Sequence, residues 1–118
     1  MSKFQYDLTH SFEERVAEIK KITSKHPDKI PVLIEKHSNS ELPKTAKCKF
    51  LIPKNLTVGQ LIFVIRKHLG SLSQDKALFI YINKSLPMTG ATMSSLYEKH
   101  KSPDGFLRVI YSGENTFG

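Results

Sequence analysis

Residues 47–70 read KCKFLIPKNLTVGQLIFVIRKHLG. The pattern changes period within this stretch. Residues 47–53 read as a strand, with Cys48, Phe50 and Ile52 on one side and Lys49 and Leu51 on the other. From residue 57 the spacing becomes helical. Thr57 and Gln60 match a capping box, and Gly70 supplies a C-terminal stop. The helix poses a problem of its own. LIFVI (61–65) is apolar at five successive positions, more than one turn, so one helix cannot aim all of it at one sheet. Some of Leu61, Ile62 and Val64 must lie toward an edge. Ordinary core under a loop accounts for this, and so does a second hydrophobic groove between the helix and strand 47–53.

Working outward, KIPVLIEK (29–36) reads as a strand joined to 47–53 by the loop HSNSELPKTA (37–46). The pair predicts an antiparallel hairpin with a long connection. ALFIYIN (77–83) reads as a strand, TMSSLYEKH (92–100) as a short helix, and FLRVIY (106–111) as a last strand entered through an Asp104-Gly105 turn. Upstream, Ser11 and Glu14 form another capping-box pattern, and His26-Pro27 ends that helix. Phe12, Val16 and Ile19 fall at helical spacing and are expected in the core. A short turn or helix is expected around Phe4 and Tyr6.

Without the N-terminal part, the order is ββαβ(α)β, the pattern of a β-grasp, or ubiquitin-like, fold. The prediction is an α+β protein: a four-stranded mixed sheet, its first and last strands parallel in the middle, with two extra N-terminal helices. Residues 1–27 form the helical extension, 28–111 the β-grasp core, and 112–118 a flexible tail, within one structural domain. Alternation puts Pro31, Leu33, Leu51, Phe106 and Ile110 on the face away from the long helix. That is too much apolar surface to leave bare, and the N-terminal helix is its natural cover. Glu18 and Ile22, four apart, share one side of that helix.

Composition narrows the chemistry. No apolar run approaches a membrane span, and MSKFQYDLTH lacks a signal-peptide core, so a cytosolic protein is expected. The single cysteine, Cys48, excludes an internal disulfide and a multi-thiolate zinc cluster. Cys48 lies between two lysines, which would lower its pKa, but no histidine is implied beside it. The five histidines have no metal or triad spacing, and no glycine-rich phosphate loop occurs. No catalytic residue, metal or cofactor is expected. The net charge is +7, and residues 37–76 carry seven Lys/Arg against Glu41 and Asp75. Nucleic acid, acidic lipid or an acidic peptide would each suit that excess. Phe50, Phe63, Phe79 and Tyr81 among the basic residues leave a nucleic-acid stacking platform as one alternative. A ubiquitin-like peptide-binding adaptor that is never conjugated is another.

The stretches FEERVAEIKKI, HPDKIPVLIEK, KFLIPKNLTVGQLIFVIRK, ATMSSLYEKH, DGFLRVIY and SGENTFG span nearly the whole chain in order. Together they resemble the autophagy ubiquitin-like modifiers, the family of the GABA-receptor-associated protein and the microtubule-associated light chain. The resemblance implies a non-enzymatic modifier. Its Gly118 would be exposed by a cysteine protease, activated and passed on by activating and conjugating enzymes, and joined to phosphatidylethanolamine. The protein would be cytoplasmic, and on the autophagosome membrane once lipidated. The resemblance also implies binding of aromatic-x-x-aliphatic peptides of autophagy receptors, as a strand added to the edge at 47–53. The first pocket would be Glu18, Ile22, Pro31, Lys49, Leu51 and Phe106. The second would be Phe50, Ile52, Leu56, Leu61 and Val64. Lys29, Lys47 and Lys49 would meet acids preceding the motif. Departures from the family pattern fall at His26, Cys48, His68, Met88 and Arg108, where tyrosine, lysine, arginine, proline and tyrosine are usual.

Overall fold

Both capping boxes foreseen in the sequence form. Ser11 Oγ accepts the Glu14 N–H (3.1 Å) while the Ser11 N–H donates to Glu14 Oε1 (2.7 Å). Thr57 Oγ1 accepts the Gln60 N–H (3.3 Å), and the Thr57 N–H donates to Gln60 Oε1 (2.9 Å). These boxes satisfy N–H groups that the helices leave without internal partners. The computed structural model describes residues 4–70 and 76–114. Its elements are α1 (Gln5–Thr9), α2 (Phe12–Lys25), β1 (Lys29–Lys36), β2 (Lys49–Pro53), α3 (Val58–His68), β3 (Phe79–Tyr81), α4 (Met93–His100) and β4 (Leu107–Ser112).

The sheet order is β2-β1-β4-β3, with β1 and β4 parallel at the centre and antiparallel neighbours outside. This is the predicted β-grasp arrangement, and it leaves β2 on an edge. One face buries Ile30, Val32, Ile34, Phe50, Ile52, Leu107, Val109 and Tyr111 in a cluster with Val58, Leu61 and Ile65 of α3. The opposite face buries Leu33 and Phe106 beneath Phe4, Tyr6 and Ile22 of the N-terminal segment, with Leu51 and Ile110 at the margin. The cover expected from the sequence is therefore present, and α1 shares it. Tyr6 meets Phe106 edge-on at 5.3 Å. Glu35, at the far end of β1, accepts the Gln5 N–H at 2.6 Å and so caps the start of α1.

Several local readings are corrected. Phe12 is 48% exposed rather than core. Arg15 takes the inward place one turn later because its guanidinium meets buried Asp104, and it also lies over the Phe12 ring at 5.8 Å. β2 begins at Lys49 rather than residue 47. Cys48 still accepts the Ile34 N–H (2.8 Å), but its side chain packs with the α2-side cluster and not with Phe50. Alternation therefore fails at the strand's entrance. β3 is short because Asn83 (φ 50) and Lys84 (φ 66) turn the chain back, and Ile82 bridges Ser85. Gly105 has φ +101, and a Cβ there would stand 2.8 Å from Ile19 of α2, so the turn into β4 requires glycine on both counts. Packing continues beyond Tyr111. Ser112 is fully buried, the Gly113 N–H donates to Ser40 Oγ (3.2 Å), and Tyr81 Oη donates to the Glu114 carbonyl (3.0 Å). Gly118 lies outside the described residues.

Four charges tie the N-terminal cover to the sheet. Asp104 Oδ2 accepts from Arg15 Nε and Arg108 Nη2, each at 2.8 Å. Asp7 of α1 pairs with both arginines, at 3.3 Å from Arg15 Nε and in a hydrogen bond with Arg108. Burial pushes the Asp104 carboxyl up, but hydrogen bonds from Arg108, the Phe106 N–H and Arg15 outweigh it and hold it at about 2. Folding thus lowers this carboxyl below its ordinary 3.8. Its stabilising contribution, roughly 2 kcal/mol, is complete above about pH 4 and is lost as the pH falls toward 2. Asp104→Ala is expected to cost about 3 kcal/mol in urea unfolding at pH 7, because it leaves two half-buried guanidiniums with Asp7 alone. Asp104→Asn is expected to flatten the fall in stability between pH 4 and pH 2 seen for the unsubstituted protein.

Candidate functional site

Among the described residues β2 pairs only with β1, through the register Ile30↔Ile52, Pro31↔Leu51 and Val32↔Phe50. Its other side presents unpaired backbone N–H and C=O groups, which a further strand could meet. The two flanks of this edge differ.

On the α2 side lies an open cavity of about 260 Å³, lined by Glu18, Lys21, Ile22, Lys25, His26, Lys49 and Leu51. Four of the six residues expected in the first pocket line it: Glu18, Ile22, Lys49 and Leu51. The other two lie beneath. Pro31 is buried opposite Leu51, and Phe106 is buried under α1 and α2. Three lining residues were not anticipated: Lys21, Lys25 and His26. Lys21 and Lys25 were legible in principle, since 18, 21, 22 and 25 form one stripe of a helix. His26 follows from the place where α2 stops.

Lys49 Nζ hydrogen-bonds Glu18 at the mouth of the cavity. That bond, opposed by partial burial and aided by nearby Lys21, lowers the Glu18 carboxyl from its ordinary value. The same bond raises the Lys49 ammonium, again against burial. The Lys25 and His26 side chains have no partner among the described residues.

The α3 side is filled. Phe50, Ile52 and Leu61 of the expected second pocket are 4%, 4% and 0% exposed and belong to the main core. Leu56 and Val64 are half-buried, and Leu56 packs against the same cluster. Lys47 lies over the Phe50 ring at 4.8 Å, and His68 meets it edge-on at 5.0 Å. Phe50, Ile52, Leu61 and Leu56 of the expected pocket are therefore together in one cluster. The three flanking lysines do not form one group. Lys29 sits opposite Pro53 while Lys47 precedes β2. Six residues of extended chain, about 20 Å, separate their ends of the edge.

The family described as "Autophagy protein Atg8 ubiquitin like" matches residues 14–118. Autophagy-related protein 8 of Mycosarcoma maydis is 53% identical over 109 residues, covering 92% of each chain. That of Schizosaccharomyces pombe is 52% identical over 117 residues, covering 99% of this chain and 94% of its own. The crystal structure of Trypanosoma brucei ATG8 superposes with a TM-score of 0.91 at 42% identity, covering 99% of this chain and 100% of that one.

The chain belongs to the Atg8 family.

It is a ubiquitin-like modifier of autophagy. A further Atg8 structure, from Plasmodium falciparum in complex with a P. falciparum Atg3 peptide, superposes with a TM-score of 0.84 at 40% identity, covering 95% of this chain and 98% of that one.

The structure also bears on other readings of these residues. Burial, then the Glu35 carboxylate, pushes the Cys48 thiol up, opposite to the effect expected from its flanking lysines. Phe50 and Tyr81 are buried in the core and Phe79 is half-buried, so the aromatics do not form a stacking platform. Phe63 alone of the four is well exposed, under the Lys67 ammonium at 4.8 Å. Among the described residues no helix is long and apolar enough to cross a membrane.

The contrast between the flanks predicts different costs for similar truncations. Leu61→Ala empties a fully buried core site and is expected to cost about 3 kcal/mol of stability in urea unfolding. Leu51→Ala, at the half-exposed cavity wall, is expected to cost less than about 1.5 kcal/mol.

Proposed function

We propose that this Atg8 protein is joined through the Gly118 carboxyl to the amine of phosphatidylethanolamine and recruits partners at the β2 edge. A processing cysteine protease exposes Gly118. An activating enzyme then uses ATP to make it a thioester, and a conjugating enzyme transfers it to the lipid. The amide bond forms as the thioester breaks and the thiol leaves. Glycine suits this role because no side chain crowds the attacked carbonyl. The protein is cytoplasmic until then, and afterwards sits on the autophagosome membrane.

The observation that carries the recruiting half is the open β2 edge beside an apolar-floored, cation-walled cavity. An added strand takes main-chain hydrogen bonds from the edge, and alternation sends residues three apart to opposite sides. An aromatic anchor enters the cavity over Ile22 and Leu51. The aliphatic anchor then meets the α3 side of the edge, where Leu56 packs with the buried Phe50, Ile52 and Leu61. Lys47 and Lys49 attract acids that precede the aromatic residue, adding association rate and salt sensitivity to an affinity set by the buried anchors. The Atg3 peptide held by the P. falciparum relative supports a peptide-binding surface on this fold.

Gly118→Ala is expected to abolish attachment in a reconstituted reaction with the conjugation enzymes and phosphatidylethanolamine liposomes, read by intact mass, while motif-peptide binding is unchanged. Retained lipid attachment would overturn the assignment of Gly118. Leu51→Ala is expected to weaken a motif peptide by about 1–3 kcal/mol in titration calorimetry. An unchanged affinity would place the aromatic anchor elsewhere.

A further inference from the structure

The cavity wall contains polar side chains that the edge-strand reading leaves unused. Lys49 is paired with Glu18, the one acid in the wall. Lys25 and His26 are exposed, line the cavity, and have no side-chain partner among the described residues. They stand at a definite end of the edge, because the His26 carbonyl accepts the Lys29 N–H (3.1 Å) and Lys29 lies opposite Pro53. Lys47 and Lys49 mark the other end.

This polarity places the docked peptide. Its leading acids meet Lys47 and Lys49, its aromatic anchor drops into the cavity over Leu51, and the chain continues toward Lys29. Side chains of the added strand alternate. The first residue after the anchor faces away from α2, and the second faces α2 again, roughly 7 Å further along. The third is the aliphatic anchor, on the α3 side. Only the second intervening side chain therefore reaches the wall that holds Lys25 and His26.

We propose that Lys25 and His26 make this protein select peptides with an acidic residue at the second of the two positions between the anchors. The inference rests on the edge-strand reading above and adds a specificity to it. Such a carboxylate meets the Lys25 ammonium, which no acid among the described residues pairs with, and the His26 ring beside it. The same carboxylate one residue earlier points away from them. The preference is thus positional, unlike the general attraction of a basic surface for an acidic peptide.

The test uses titration calorimetry with the intact protein and three peptides that share their leading acids and both anchors. Their intervening residues are Gln-Gln, Glu-Gln and Gln-Glu. Glutamate at the second position is expected to tighten binding about 3- to 10-fold over Gln-Gln, and glutamate at the first by less than about 2-fold. In the Lys25→Gln/His26→Gln double variant the ratio of Gln-Glu to Gln-Gln affinity should fall to about 1, whatever the affinity for the Gln-Gln peptide itself becomes. Both side chains are exposed, so the fold should tolerate the change. Equal gains at the two positions, or a gain that survives in the double variant, would overturn the inference and leave the edge-strand reading standing. A Gln-Gln peptide that does not bind would overturn both.

Discussion

The structure depends on the burial of its central strand from both sides. In β1, residues 30–34 are all buried, with Val32 and Ile34 turned to α3 and Leu33 to the N-terminal helices. A strand buried on both faces needs a layer on each. α3 supplies one. Without α1 and α2 the other face would expose Leu33 and Phe106 to water. The N-terminal extension is therefore part of the core.

The second layer is short, and α1 is only a five-residue helix. Helices of that length are not stable by themselves. α1 is held by contacts from elsewhere: Glu35 at its N-terminus, Phe106 beneath Tyr6, and the Asp7 link to Arg15 and Arg108. Arg108 lies on the face of β4 shared with Phe106, where the family resemblance leads one to expect tyrosine. Here it joins a ring of charges whose central acceptor, Asp104, is almost wholly buried. Removing one member of such a ring exposes the desolvation cost of the others.

The same two layers flank the β2 edge unequally. α3 packs closely on the sheet, so its flank of β2 is filled by core side chains. α2 crosses with only its inner stripe engaged, and an open cavity remains between that stripe and β2. Much of this was legible in the sequence. Two capping boxes, two-residue alternation and the glycine turn before β4 identified the elements, their order and the faces of β1 and β4. The helical interval from Glu18 to Ile22 put both residues on one side of α2, and the family resemblance assigned them to a pocket. Other features were not legible. Phe12 is apolar at core spacing yet exposed, because Arg15 takes the inward place to reach Asp104, 89 residues away in sequence. Cys48 leaves its alternation at the mouth of β2, where only one of the ladder's hydrogen bonds remains.

By itself the sequence determined the elements, the two-faced sheet and the apolar anchors of the edge, because periodicity and caps act within a few residues of chain. Only the tertiary structure decided that Glu18, Ile22, Lys49 and Leu51 line an open cavity while Phe50, Ile52 and Leu61 belong to the core, that Lys29 stands at the opposite end of β2 from Lys47, and that Lys25 and His26 line the same cavity. Periodicity tells which way a side chain points from its own element. How far the neighbouring element lies, and what already fills the space between, is decided by packing across the whole fold.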